Sequence, residues 1–426
     1  MNKFPITKVL SKFSEVFIKN GFHIYIVGGA VRDFLLGLDN HDYDFTTDAT
    51  PEEVIKLFYK VIPTGIKHGT VTVIFKDDNK KNHFFEVTTF RTEGDYKDSR
   101  HPENVKFIRN LEEDLKRRDF TINALAASLQ TGEIFDYNDG FKDLNNNIIR
   151  CIDDAETRFG EDALRMLRAC RFAAKLNFSI ESKTFEAIKL LNKNILNVSK
   201  ERIKEELDRL LLSQNPVIGL NLMKETLLLE NIIPELDGPF YFQSLDAVSK
   251  ASKNGTNLIV RYACLFSNLK RTKTNKDFES SAISAECSNK ILLRLKFSNL
   301  ERKMINHLIS IQYLNYNDEF TPPKIRRMIN KIGFENIKTF ISLKNALEDD
   351  FKSQDFLNRI EEIDFPSIKV EDLKINGKDL NSLGIKPGPV YKKILQSLLD
   401  LVIDDPSLNT KESLLNILQE RKIKTY

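Results

Sequence analysis

The feature that most constrains this chain is a change of hydrophobic period about one third of the way along it. HIYIV (His23 to Val27), TVTVIF (Thr70 to Phe75), FFEVTTF (Phe84 to Phe90) and NVKFI (Asn104 to Ile108) are rich in β-branched and aromatic residues. Several alternate with period two, and turn signals separate them. Beyond about residue 155 the period becomes helical: Ile203, Leu207, Leu210 and Leu211 fall at i, i+4, i+7 and i+8, and similar stripes recur as far as Leu414 to Leu418. A sheet with helices is expected first and an all-helical remainder after it, an α+β architecture. The pattern divides the chain into segments 1–150, 151–215, 216–330 and 331–426, within the two to four domains that 426 residues suggest.

Composition narrows the class. Apolar residues at 41% and charged residues at 29% exclude a disordered or fibrous chain. The net charge of +3 is unevenly spread: residues 1–150 hold 21 basic and 23 acidic side chains, leaving 43 basic and 38 acidic for residues 151–426. A track for a polyanion is therefore expected in the C-terminal part. Four widely spaced cysteines (Cys151, Cys170, Cys264, Cys287) match neither a metal knuckle nor a disulfide framework and read as reduced, buried thiols. No apolar run approaches the roughly 18 residues of a membrane span, and the N-terminus lacks a signal-peptide pattern, so a cytoplasmic setting is expected, with no membrane or obligatory protein partner.

YIVGGAVRDFLLG (Tyr25 to Gly37) reads as a strand, two glycines and a helix beginning near Val31. Gly28 and Gly29 would let the backbone approach a phosphate, the helix start would offer free N–H groups, and Arg32 would add a fork. In HDYDFTT (His41 to Thr47), Asp42 and Asp44 stand two apart on an extended segment, so both carboxylates point to one side and can share divalent cations. Glu86, a charge inside the apolar run FFEVTTFR, is the candidate third carboxylate; the alternative is a glutamate on an edge strand.

GGAVRD followed by DYDF resembles the nucleotidyltransferase signature of the DNA polymerase β superfamily. Downstream segments make the chain similar to the class II tRNA nucleotidyltransferases, the CCA-adding enzymes and their bacterial poly(A) polymerase relatives. KRRDFTINALA (Lys116 to Ala126) is similar to the motif that holds the incoming nucleotide's phosphate and ribose, with Arg118, Asp119 and Asn123 matching. GEDALRMLRACRFAAKL (Gly160 to Leu176) is similar to the base-selecting helix, and RIKEELDRLL (Arg202 to Leu211) to the helix that braces it. INGKDLNSLGIKPGPVYKKILQSLL (Ile375 to Leu399) looks like the tRNA-engaging tail, with Lys392 where the family usually has glycine. The resemblance implies a polymerase-β-like head, then an all-α neck, body and tail; Asp42, Asp44 and Glu86 as catalytic carboxylates, the two aspartates holding Mg²⁺; and addition of C and A from CTP and ATP to the 3′ end of tRNA.

Base selection can be argued separately. Asp162 and Arg165, at i and i+3, are expected to orient each other and to offer one acceptor and one donor. Cytosine and adenine each carry an exocyclic amino donor beside a ring-nitrogen acceptor, whereas uracil and guanine present a carbonyl beside a ring N–H, so the pair admits C and A. Arg168 and Arg171 continue the spacing and, as the resemblance implies, lie toward the nucleotide.

The alternatives differ in recognisable ways. Bacterial poly(A) polymerases usually carry an arginine-rich element where this chain reads GIKHGTVTV (Gly65 to Val73), and CC-adding relatives are shortened between Arg91 and Lys116, which is full length here. Complete CCA addition and A addition alone both stay open. A non-catalytic RNA-binding protein on the same fold would have lost a metal carboxylate. His68 is expected in a turn or the core, and the basic stretch Phe266 to Phe278 in a solvated loop.

Overall fold

The first helix explains how the sheet is held. In α1 (Lys8–Lys19), capped by Thr7, the residues Leu10, Phe13 and Phe17 recur at helical spacing and are buried. Phe13 packs its ring against Phe17, Phe45, Phe58, Phe75 and Phe85, with centroids 4.7 to 5.4 Å away. Those partners come mostly from strands, so one helix closes one face of a sheet. The computed structural model describes residues 3–39, 42–93, 105–270, 277–317, 319–364 and 369–423.

The strands of the first 140 residues are β1 (Ile24–Val27), β2 (Asp44–Thr47), β3 (Val61–Gly65), β4 (Thr70–Lys76), β5 (Asn82–Thr89), β6 (Arg91–Glu93), β7 (Val105–Phe107), β8 (Leu125–Ser128) and β9 (Ile134–Asp136). Seven of them form a mixed sheet in the order β3-β4-β5-β2-β1-β8-β9, and β6 pairs with β7 separately. The β2–β5 pair is parallel and the other neighbours are antiparallel. A parallel pair cannot be closed by a hairpin. Here the crossover carries α3 (Pro51–Leu57), started by a Thr50–Glu53 capping box, and then β3 and β4.

Helix α2 (Gly29–Leu35) begins two residues earlier than expected, directly at the second glycine. After α4 (Leu111–Lys116) and α5 (Gly140–Asn145) the chain becomes helical: α6 (Ala155–Glu161), α7 (Leu164–Leu176), α8 (Ser182–Leu191), α9 (Lys200–Leu211) and α10 (Pro216–Glu225). The single helix expected over Gly160 to Leu176 is broken at Asp162 and Ala163, where Asp162 leaves the helical region with φ −142° and ψ 101°. Helix α10 crosses α7 at Gly219, where an added Cβ would lie 3.0 Å from the Cys170 carbonyl oxygen and 2.9 Å from Leu210.

The chain forms two compact units, Met1–Pro234 and Glu235–Tyr426, so the separation falls inside the segment expected to span 216–330. Described helices of the second unit include Leu258–Phe266, Asn299–Ile311, Pro322–Ile332, Ile337–Leu347 and Pro389–Asp404. Its last part has its own apolar core of Leu380, Leu398, Val402 and Leu414. Arg326, from Pro322–Ile332, donates to the carbonyls of Ile403 and Asp404 and so caps the end of Pro389–Asp404. Lys344 is fully buried, donating to the Gln312 carbonyl and paired with Asn315 and Glu348.

The cysteines are free thiols, three of them buried. Burial pushes Cys170 up to about 12. His68 ends an exposed turn. Residues 271–276 of the basic stretch and 94–104 of the Arg91–Lys116 segment lie outside the described residues. No described helix is long and apolar enough to cross a membrane.

Candidate active site

One face of the sheet packs on the phenylalanine layer; the other carries carboxylates on β2 and β5 and, beside them, a second apolar cluster that includes Val27, Ala126, Leu111 and Leu115. On β2, Phe45 is buried while Asp44 is exposed; on β5, Phe85 and Val87 are buried while Phe84 and Glu86 are exposed. Asp44 and Glu86 are direct partners in the parallel register, so their side chains leave neighbouring strands on the same side. β5 lies between β4 and β2, which removes the edge-strand reading of Glu86. Asp42 sits two residues before Asp44, just ahead of the strand. Although Asp44 is solvent-accessible as a residue, crowding around its carboxyl raises its pKa, Arg118 opposes this, and the Asp42 charge adds to it.

Among the described residues no three His, Cys, Asp or Glu side chains close into a metal cage. Hard oxygen donors on an open sheet face, with the Asp42 charge raising the cost of ionising Asp44, suit a hard divalent cation such as Mg²⁺. That ion keeps waters and binds through one or two carboxylates plus substrate phosphates rather than an all-protein cage.

Beside Asp44 opens a cleft of about 490 Å³. Gly28, Gly29, Arg32, Asp44, Arg118, Asp119, Asn123, Asp162, Arg165, Arg168 and Arg171 all border it, whereas Asp42 and Glu86 do not. Gly28 has φ 70° and ψ −127°, a conformation a residue with a Cβ rarely adopts, and the Arg118 guanidinium passes 3.4 Å from where that Cβ would stand. Burial lowers the Arg118 pKa against the opposing pull of Asp114.

The cleft's wall is a chain of paired charges. Arg32, expected to reach outward, is 2% exposed; it donates to the Asn123 side-chain oxygen at 2.6 Å and to Asp33 at 2.7 Å, so its fork is spent on bracing. Asn123 donates to Asp119, which also accepts from Arg168 at 2.7 Å. Burial alone would raise the Asp119 pKa, but Arg168, Asn123 and Arg165 more than offset this and hold it at about 2. Arg168 also reaches Glu206, and Arg171 pairs with the same Glu206 from α9 while stacking 4.0 Å over the Phe172 ring. Burial pulls Arg171 down to about 10.

Asp162 and Arg165 are arranged differently from the expectation. The helix break places Asp162 at the end of α6, where its carboxylate receives Arg202 at 2.7 Å and the Leu164 N–H at 3.1 Å. Arg165 pairs with Glu161 and donates to the Arg117 carbonyl. Each is held by a third residue, and both still border the cleft.

Sequence reasoning missed Arg117, Phe172, Lys175, Arg202 and Arg209 on the cleft wall, and Glu206 behind it. A signal existed: Arg202, Glu206 and Arg209 fall at i, i+4 and i+7, a charged stripe beside the apolar one on α9. A larger hollow of about 790 Å³, bordered by Arg150, Asp153, Asp154, Glu181, Lys183 and Glu186, has no lining residue in common with this cleft.

The lining holds nine arginines and lysines against three aspartates (Asp44, Asp119, Asp162), a surplus suited to a polyanion. Comparison with known proteins gives the same direction. The Poly A polymerase head domain model matches residues 24–150, the model for the RNA- and SrmB-binding site of polymerase A matches 177–238, and tRNA nucleotidyltransferase domain 2 matches 280–418. The CCA-adding enzyme of Staphylococcus haemolyticus is 37% identical over 418 residues, covering 94% of this chain and 95% of its own. That of Ligilactobacillus salivarius is 36% identical, covering 96% and 94%. The crystal structure of the Bacillus stearothermophilus CCA-adding enzyme in complex with CTP superposes over the whole of both chains with a TM-score of 0.76 at 28% identity. A fold of this kind, with matching models along its length and relatives similar from end to end, places the chain in the class II tRNA nucleotidyltransferases: it belongs to the family of CCA-adding enzymes.

Proposed function

We propose that this chain adds C and A to the 3′ end of tRNA from CTP and ATP, releasing pyrophosphate. The observation that carries the reading is the adjacency of the Asp44–Glu86 carboxylate pair to a cleft with a large cationic surplus. In the reaction the acceptor 3′-hydroxyl attacks the α-phosphorus, the bond to the β-phosphate oxygen breaks, and pyrophosphate leaves. Asp42 and Asp44, with Glu86 as third carboxylate, would hold a divalent cation such as Mg²⁺, which would supply charge neutralisation and activation of the hydroxyl. Arg118 and the Gly28–Gly29 turn receive the triphosphate. Asp119 and Asn123, locked together and by Arg168, present fixed polar atoms to the ribose.

Asp162 accepts from the exocyclic amino group of C or A, and Arg165 donates to the adjacent ring nitrogen. Their separate anchors, Arg202 and Glu161, hold both groups in place before a base arrives, so that less ordering is left to do on binding. In this reading residues 1–150 carry the chemistry in a cytoplasmic enzyme, 151–215 select the base, and 216–330 with 331–426 track the tRNA.

The test is to incubate the purified chain with Mg²⁺ and tRNA lacking its 3′ end, or ending in CC, offering each triphosphate separately and together, and to sequence the products. Complete CCA on the first substrate is expected. Addition of A alone to the second would assign an A-adding enzyme, and untemplated A tracts on unrelated RNA a poly(A) polymerase.

A further inference from the structure

Phe84 is an oddity of the catalytic sheet: an aromatic ring in an internal strand, 65% exposed, while the sheet's other phenylalanines on β2, β4 and β5 gather around Phe13. It precedes Glu86 by two residues, so both project from the same face of β5, roughly 7 Å apart along the strand. The cross-strand ladder on this face runs Ile62–Thr72–Glu86–Asp44, and Phe84 belongs to the next rung, opposite Ile74. The paired register of β2 and β5 begins at Asp44–Glu86, so Phe84 lies one rung beyond it, next to the segment that carries Asp42 into β2. On the other side of β2 stands β1, where Val27 pairs with Asp44 and leads into the Gly28–Gly29 turn at the cleft.

The carboxylates therefore stand between two unlike neighbours: the cationic cleft on the β1 side and an exposed aromatic on the β5 side. Phosphoryl transfer needs the attacking and leaving oxygens roughly in line through the phosphorus. With pyrophosphate leaving on the arginine side, the attacking hydroxyl must come from the β5 side, across Phe84. The last nucleotide of the acceptor differs as the reaction proceeds, so whatever receives it has to tolerate several bases. An aromatic face does so, because every base has a π-face, whereas a hydrogen-bonding pocket would not.

We propose that Phe84 is the acceptor-positioning residue, a platform on which the 3′-terminal nucleotide of the growing RNA stacks with its hydroxyl toward Glu86 and Asp44. The inference rests on the nucleotidyltransferase reading above and adds to it the place of the second substrate. The exposed ring contributes little to the core, so its removal leaves the fold intact, and Phe84→Thr keeps a good strand former.

The experiment is steady-state addition of C to tRNA lacking its 3′ end by the full chain, with tRNA and CTP varied independently, for wild type, Phe84→Thr, Phe84→Leu and Phe84→Trp. Loss of a stacked base predicts a fall of roughly 5- to 100-fold in kcat/KM for tRNA in the Thr and Leu variants. The KM for CTP should stay within twofold and the melting temperature should not change, and Trp should restore most of the loss. An acceptor kcat/KM within twofold of wild type in Phe84→Thr, or a Leu variant as good as Trp, overturns the platform alone. A wild-type chain that adds nothing to any tRNA overturns the platform together with the reading beneath it.

Discussion

The two units each bury charge, and they do it in opposite ways. In the second, Lys344 is closed off: the Gln312 carbonyl, Asn315 and Glu348 surround its ammonium, and burial still lowers its pKa. In the first, Arg168, Asp119, Glu206 and Arg171 form an equally interlocked chain, but it borders a cleft and leaves a cationic excess facing the opening. A buried charge with its partners complete is architecture. A buried network whose sum is unbalanced at one surface is a site waiting for a counter-charge.

Substitutions should separate the two kinds. The largest effect is expected for Asp44→Ala: nucleotide addition should fall more than a hundredfold, with melting temperature and tRNA affinity nearly unchanged, as read by single-turnover incorporation and a binding titration. Activity within tenfold of wild type would place the chemistry elsewhere. Lys344→Ala should do the reverse. Leaving a cavity and the Glu348 charge without its partner costs about 3 kcal/mol, seen as a lower urea midpoint, while addition at low temperature is preserved. If Lys344→Ala abolishes addition in a folded protein, the contrast between the units fails.

Finer effects probe the cleft's own division of labour. On the proposed base-reading roles, Asp162→Ala should lower the ratio of CTP to UTP efficiency about ten- to hundredfold, and Arg165→Ala should damage C and A addition together. An unchanged ratio would move base selection to other residues. The smallest expected effect is a pH dependence. Asp119 has its pKa depressed from 3.8 to about 2, so its contribution to stability is complete above about pH 4 and is lost as pH falls toward 2. The stability gap between wild type and Asp119→Asn should therefore be flat from pH 7 to 4, on the order of 2 kcal/mol, and shrink below. A gap that instead changes between pH 5 and 7 would point to another titrating group.

Much of the site could be read directly because its signals are local. The glycine pair, the two aspartates and the odd glutamate in an apolar strand are each marked by neighbours within a few residues, where pleat and turn chemistry bear on which way side chains face. The pairing of Asp162 with Arg202 and of Arg168 and Arg171 with Glu206 could not be read that way. These contacts join residues about 40 positions apart, and they exist because α9 lies against α7. Arg32 shows the same limit: its spacing suggested a fork toward a ligand, yet Asn123, 91 residues on, claims it. Pairing of Asp162 with Arg165 at i, i+3 needs an unbroken helix at Asp162, which the chain does not form.

The parallel register of β2 and β5 has a consequence for how such a gene can change. Asp44 and Glu86 face the same way only because each strand keeps its parity, with odd and even positions pointing to opposite sides. The stretch between them, residues 48 to 81, can gain or lose length at its turns without disturbing that parity. A single residue inserted within β5 ahead of Glu86 would move it to a buried position, turning the carboxylate into the phenylalanine layer and presenting Phe85 or the inserted residue in its place. Insertions in the crossover are therefore tolerable drift, whereas one codon within the strand costs the carboxylate and the packing beneath it together.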